Sequence, residues 1–201
     1  MIYDLAIVAD HIGRVLTDAE ASLRIEQAVS GLDTRDEKQL QTLLADGLGR
    51  WYGVAREVHY PSTAGNKLTH RQRCDLVLCP HGRQLRLDRS LPSLFDPPDL
   101  CEPQAGLWME VKIAYQFREG GIHHGGYGPQ WRNAVVADLR KMESEPLITQ
   151  AALLLIVFNE SAEILEKDLD LFENVLVKKE VLAGFRKVRS VPILDRIGHR
   201  L

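Results

Sequence analysis

Long apolar runs are missing from this chain. The longest, "AALLLIVF" at 151–158, falls far short of the roughly 20 residues that a membrane-crossing helix needs, so no membrane partner is expected. Cysteine is scarce: three residues without framework spacing argue against a disulfide scaffold and for a reducing, cytoplasmic setting. Charge of one sign is lacking too. With 25 Lys/Arg against 28 Asp/Glu the net charge is −3, which gives no global sign of nucleic-acid binding. Repeats and low-complexity tracts are absent. The opening "MIYDLAIVADH" has no basic stretch and meets acid early, so it does not read as a signal peptide.

What is present is an ordinary globular composition: 201 residues, 45% apolar and 26% charged, enough for one domain with a proper core. Two stretches are locally basic. Residues 178–200 carry seven Lys/Arg against Glu180 and Asp195, and residues 56–89 carry seven against Glu57, Asp75 and Asp88. Solvated faces often look the same.

The period of the apolar residues orders the elements. Thr17-Asp18-Ala19-Glu20 is a capping box that predicts a helix to Gly31, with Leu23, Ile25, Ala28 and Val29 apolar and Glu20 as its cap. Thr34-Arg35-Asp36-Glu37 predicts a second helix to about Trp51, packed through Leu40, Leu43, Leu44, Leu48 and Trp51. Strands follow at 54–61 and 73–79, then a turn at Pro80-His81-Gly82 and an extra strand over 83–88. Residues 90–106 hold four of the nine prolines and read as an irregular surface excursion. A strand over 107–114 leads to a glycine-rich loop at 120–128 and a helix over 129–144, with Trp131, Val135, Leu139 and Met142 inward. "QAALLLIVFN" predicts a fully buried strand, 161–183 a long helix for packing or dimer contacts, and "FRKVRSVPIL" a last edge strand. The order is that of an α/β fold with a mixed central sheet flanked by helices.

One strand carries charges it should not tolerate. In "GLWMEVKIAYQ" (106–116), Leu107, Met109, Val111 and Ile113 form one face; Trp108, Glu110, Lys112 and Ala114 form the other. The strand at 73–79 splits likewise, with Cys74, Leu76 and Leu78 opposed to Arg73, Asp75, Val77 and Cys79. If the strands are neighbours, Asp75 shares a face with Glu110 and Lys112. Two carboxylates there suit a hard divalent cation, Mg²⁺ or Mn²⁺, which stabilises charge on a phosphodiester oxygen and acidifies a bound water. A lysine beside them, its pKa depressed by burial and metal, can orient or deprotonate that water. The plainer reading is a surface ion pair on an edge strand, since Glu-x-Lys alone arises about once by composition in a chain this long.

Asp75 followed by Glu110-Val111-Lys112 resembles the PD-(D/E)XK signature of the restriction-endonuclease-like nuclease superfamily. The resemblance implies an α-β-β-β-α-β core, which residues 34–158 supply in order, and a single nuclease-like domain over 1–201. Asp75 and Glu110 would be metal ligands with the Val111 carbonyl, and Lys112 would position the attacking water. Glu37 would be the auxiliary acid, unless it is only the N3 residue of its capping box; Glu57 is a second candidate that could instead pair with Arg56 or Arg73. Cys74 stands where the signature has proline. The 35-residue separation of Asp75 from Glu110 makes about 80–106 an insertion.

The implied activity is metal-dependent hydrolysis of phosphodiester bonds, DNA favoured. Arg71, Arg73, Arg118, Arg132, Arg140 and Lys141 are the expected phosphate contacts, with Gln130 also placed for one. An RNase would use the same residues. A non-catalytic binding or assembly subunit, alone, as a homodimer or with a partner protein, is the alternative. His123 and His124 read as a solvated loop. Zinc on Cys74, Cys79, Cys101 and His81 is disfavoured because residues 74 and 79 should lie on opposite strand faces. Trp108 is expected to pack beneath the helix at 131–143.

Overall fold

The structure, a computed structural model, describes residues 2–63, 72–86, 97–118, 122–123, 125, 127–159 and 161–193. The elements are α1 (Leu5–Ile25), α2 (Glu37–Leu48), β1 (Tyr52–His59), β2 (Arg73–Pro80), β3 (Gln84–Leu85), β4 (Leu100–Cys101), β5 (Leu107–Tyr115), β6 (Phe117–Arg118), β7 (Ile122–His123), α3 (Tyr127–Glu143), β8 (Gln150–Phe158) and α4 (Ala162–Lys178). The central sheet has the order β1-β2-β5-β8. β1, β2 and β5 run antiparallel, and β8 runs parallel to β5 after the α3 crossover that a parallel pair requires. The protein is α/β with a mixed four-stranded sheet between helices.

Each face of the sheet is covered by its own helices. α1 and α2 bury Val8, Ile12, Val15, Leu40, Leu44 and Leu48 against Leu76, Leu78, Leu107, Met109 and Val111. On the other face, Trp131, Val135 and Val136 of α3 pack with Phe172 and Leu176 of α4 over Ala114. Trp108 does lie under α3, in a cluster with Met142 and Leu139, and its indole donates to the Pro103 carbonyl at 2.9 Å. No helix among the described residues is long and apolar enough to cross a membrane.

Several expectations need correction. α1 starts at Leu5, where Asp4 caps it by accepting from the Ala6 amide at 2.8 Å. Val8, Ile12, Val15 and Leu16 extend one buried stripe straight through Thr17, whose hydroxyl bonds back to the Gly13 carbonyl instead of capping. Ile25 and Val29 are consequently exposed. Glu20 is no cap either: buried inside α1, its Oε2 accepts from the Leu32 amide at 3.1 Å.

The capping box of α2 is Asp36 with Gln39, two residues later than expected, because Thr34 closes a short 3-10 turn of its own. Glu37 is thereby the first residue of the helix rather than N3. β8 is an edge strand of intermediate burial, not a fully buried one, since it ends the sheet order. Residues 181–193 form no strand; they run as an irregular segment whose Val191 and Ile193 pack on the α1–α2 core and whose Arg189 pairs with Asp10 at 2.5 Å. Part of the proline-rich stretch is ordered structure: β4 pairs in parallel with β3, and Cys101 is buried. Residues 90–96 of that stretch lie outside the described residues, as do 120–121, 124 and 126 of the glycine-rich loop.

Candidate functional site

β2 and β5 are zipped for only three pairs, Leu78–Leu107, Val77–Trp108 and Leu76–Met109. The next opposed residues, Asp75 and Glu110, are not bridged, and the strands part there. Opposed residues of an antiparallel pair share a face. Val77 and Trp108 pack under α3, so two steps on Asp75 and Glu110 face α3 as well. Asp75 Oδ2 accepts from the Val111 amide at 2.7 Å, serving a backbone donor that the ladder has left.

A strained residue sets the fork's other wall. Glu57, in β1, has φ +52°, a left-handed conformation unusual for a glutamate inside a strand. Before it, Val54 joins the α1–α2 core and Ala55 the α3 side; after it, Val58 and Tyr60 both turn to the α3 side. Cys74, the partner of Val58, turns with it. The expectation that Cys74 and Cys79 occupy opposite faces is therefore wrong: both point into the cluster beneath α3. Re-aiming a side chain is what a local break in strand geometry does. Here it brings the Tyr60 hydroxyl to Glu110 Oε1 at 2.5 Å, with the phenol ring stacked on Trp108 at 5.4 Å.

Glu110 is only 2% exposed and receives a second donor on the same oxygen, Lys141 Nζ of α3 at 2.7 Å. Asp138, one turn earlier on α3, holds Lys141 at 3.1 Å through Oδ1 and Lys112 at 3.3 Å through Oδ2. Lys112 also reaches Glu37 Oε1 at 3.4 Å and the Val111 carbonyl at 3.2 Å. The chain Glu37–Lys112–Asp138–Lys141–Glu110–Tyr60 thus joins α2, β5, α3 and the end of β1.

Burial pushes the Glu110 carboxyl above its ordinary value; Lys141 and Tyr60 oppose that shift, and Asp75 adds to it. The Tyr60 phenol is pushed far up, by burial first and by nearby Cys74 and Glu110. For Lys112, burial works downward but Asp138, Glu37 and Asp75 outweigh it, so its pKa is raised. Burial acts in the expected downward direction, and the carboxylates around Lys112 outweigh it. Lys141 is raised in the same way by Glu110 and Asp138 against its burial.

Asp75, Glu110, Lys112 and Glu37 are thus brought to one place. Glu37, which begins α2, reaches the group, whereas Glu57 is half exposed and 3.8 Å from Arg73. The expected phosphate contacts fare differently. Lys141 is turned into the cluster, and Arg132 is held by Asp168 of α4 at 3.0 Å. Arg140 is exposed and donates to the Lys179 carbonyl, and Arg73 is more than half exposed beside Glu57. Arg71, His124 and the side chains of Arg118, His123 and Gln130 lie outside the described residues.

Sequence reasoning missed Asp138 and Tyr60. Asp138 was legible: it falls three residues after Val135 and four before Met142, on the inward stripe of α3. Tyr60 was not, because its direction depends on the backbone at Glu57.

The donor set is chemically suited to a hard divalent cation: the Asp75 and Glu110 carboxylates and the Val111 carbonyl offer hard oxygen atoms, and Mg²⁺ uses one or two carboxylates with waters. Among the described residues, no group of three or more His, Cys, Asp or Glu is placed as a ready-made metal cage. Four carboxylates (Glu37, Asp75, Glu110, Asp138) stand against two ammonium groups (Lys112, Lys141), a local excess that one divalent cation would neutralise. Comparison with protein-family models, curated proteins and solved structures gives no match.

Proposed function

We propose that this chain is a divalent-cation-dependent nuclease of the PD-(D/E)XK kind, hydrolysing phosphodiester bonds, with DNA the favoured substrate. The supporting observation is the fork: Asp75 and Glu110 face the same helix where β2 leaves β5, with Lys112 one step further along the same face. Asp75, Glu110 and the Val111 carbonyl would hold Mg²⁺ or Mn²⁺, which supplies Lewis-acid stabilisation of the phosphate and an acidified water. The Lys112 ammonium, two residues along the same face, would orient the attacking water. Glu37 and Asp138 fix where that ammonium points. The exposed Arg73 and Arg140 are left to meet phosphates, contacts that carry no base information.

Supercoiled, linear, branched and single-stranded DNA and RNA, each incubated with Mg²⁺, Mn²⁺ or EDTA, test the proposal. Metal-dependent scission, lost in EDTA and in Glu110→Gln, is the expected result; scission of RNA alone would make it an RNase using the same residues. One observation favours a second reading: the ion pairs of Lys112 and Lys141 are complete without any further group. Salt-sensitive nucleic-acid binding with no cleavage under any of these conditions would assign the chain to non-catalytic binding instead.

A further inference from the structure

We propose that Lys141 is a tethered cation that holds the metal's place on Glu110 and is displaced when a divalent ion arrives. The inference rests on the metal site proposed above. Glu110 is almost wholly buried, and both of its recorded partners, Tyr60 and Lys141, use one oxygen. An ammonium at 2.7 Å from that oxygen and a divalent ion bound to it would be like charges in near contact, in a pocket with little water to screen them. One cation excludes the other.

Leaving is possible because Lys141 has a second seat. Asp138 Oδ1 lies 3.1 Å from its Nζ and the Arg73 carbonyl 3.5 Å away, so the ammonium can swing off Glu110 on its four-carbon stem and keep a charge partner. The Arg73 backbone marks the direction, beside a guanidinium more than half exposed. A displaced Lys141 therefore joins the positive rim that a phosphate would approach. Lys112 is no such competitor, since its partners are Glu37, Asp138 and the Val111 carbonyl rather than Glu110. Without metal, the internal cation keeps a buried carboxylate from standing unpaired.

The test uses the full chain and Mn²⁺ alone, titrated by electron paramagnetic resonance and calorimetry. Lys141→Met is expected to bind Mn²⁺ about ten-fold tighter than the wild type, and Lys141→Arg no tighter than the wild type. Unchanged or weaker Mn²⁺ binding by Lys141→Met overturns the proposal. A measurement on the wild-type protein covers failure of that variant to fold. With lysine labelled at Cε, Mg²⁺ should move the one signal that is absent from Lys141→Arg; a signal that stays put at saturating Mg²⁺ overturns it equally. Displacement of Lys141 without cleavage of any nucleic acid would keep this inference and end the nuclease reading. Cleavage with Lys141 unmoved would do the reverse, and no Mn²⁺ binding by any variant ends both.

Discussion

The two ends of the β2–β5 pair are built from neighbouring residues and behave oppositely. At the zipped end, Val77, Leu78, Leu107 and Trp108 are buried, and β5 has a partner strand on each side. Backbone approach there is so close that a Cβ on Gly53, opposite Cys79, would lie 1.7 Å from the Arg83 carbonyl oxygen. At the open end, β5 keeps only β8, and a side chain does the work of a strand: the Asp75 carboxylate takes the Val111 amide. Burying a carboxylate is unfavourable unless it is paired and hydrogen-bonded. Opening the ladder supplies the space, and α3 supplies Lys141 to pair with Glu110 and Asp138 to hold both ammonium groups. Apolar burial concentrates where the ladder closes, and buried charge where it opens.

The largest effect expected from breaking that division is at the open end. Glu110→Gln and Asp75→Asn should each reduce cleavage by at least about 10³-fold, roughly 4 kcal/mol of transition-state stabilisation. Melting should hardly change, because Lys141 keeps Asp138 when Glu110 loses its charge. A collapse of melting temperature in both variants would make the cluster structural instead. At the zipped end, Gly53→Ala should do the opposite. It forces the Arg83 backbone away and should cost about 3 kcal/mol in urea unfolding, with activity per folded molecule retained.

A smaller contrast lies within two adjacent residues of α2. Asp36→Ala removes the N-cap and should lower stability by about 1 kcal/mol. Glu37→Gln should change stability by less than that, its pair with Lys112 being long and 41% exposed at the glutamate, yet reduce cleavage. Equal stability losses with activity intact in both would leave Glu37 a helix-end residue only. At the fork's other wall, Glu57→Gly relieves a left-handed glutamate and should be neutral or stabilising by up to about 1 kcal/mol, whereas Glu57→Val should destabilise.

The mildest effect is alkaline. Lys112 and Lys141 titrate above their ordinary value of 10.5 in the folded chain, burial being outweighed by their carboxylate neighbours. Their stabilisation is complete below the unfolded value and is lost as pH rises through the raised folded ones. Melting temperature followed upward from about pH 9 should therefore fall less steeply in Asp138→Asn than in the wild type.

How far these contrasts were legible depends on the distance over which each cause acts. Parity along 107–114 placed Glu110 and Lys112 together, and alternation is a local property of a strand. The stripe of α3 likewise contained Asp138 in plain view. The helix starts were misread, α1 by about three turns and α2 by two residues, because Thr17 and Thr34 each sit in a spacing that permits a cap, and only the chain before them decides which cap forms. The last strand expected at 185–194 failed for a similar reason: the segment's Val191 and Ile193 bury on α1 and α2 instead of against a strand edge.

By itself, then, the sequence determined the α/β order of elements, the two faces of β5 and the residue types that make its charged face, because periodicity and composition act within a few residues. Tertiary structure alone decided that β2 leaves β5 at Asp75, that Glu57 turns Tyr60 onto Glu110, and that Lys141 points inward rather than at solvent. Those outcomes depend on which strands pair, where pairing stops, and which helix lies over the gap. Each is a balance among groups up to 75 positions apart, as Glu37 and Lys112 are, and no local pattern encodes it.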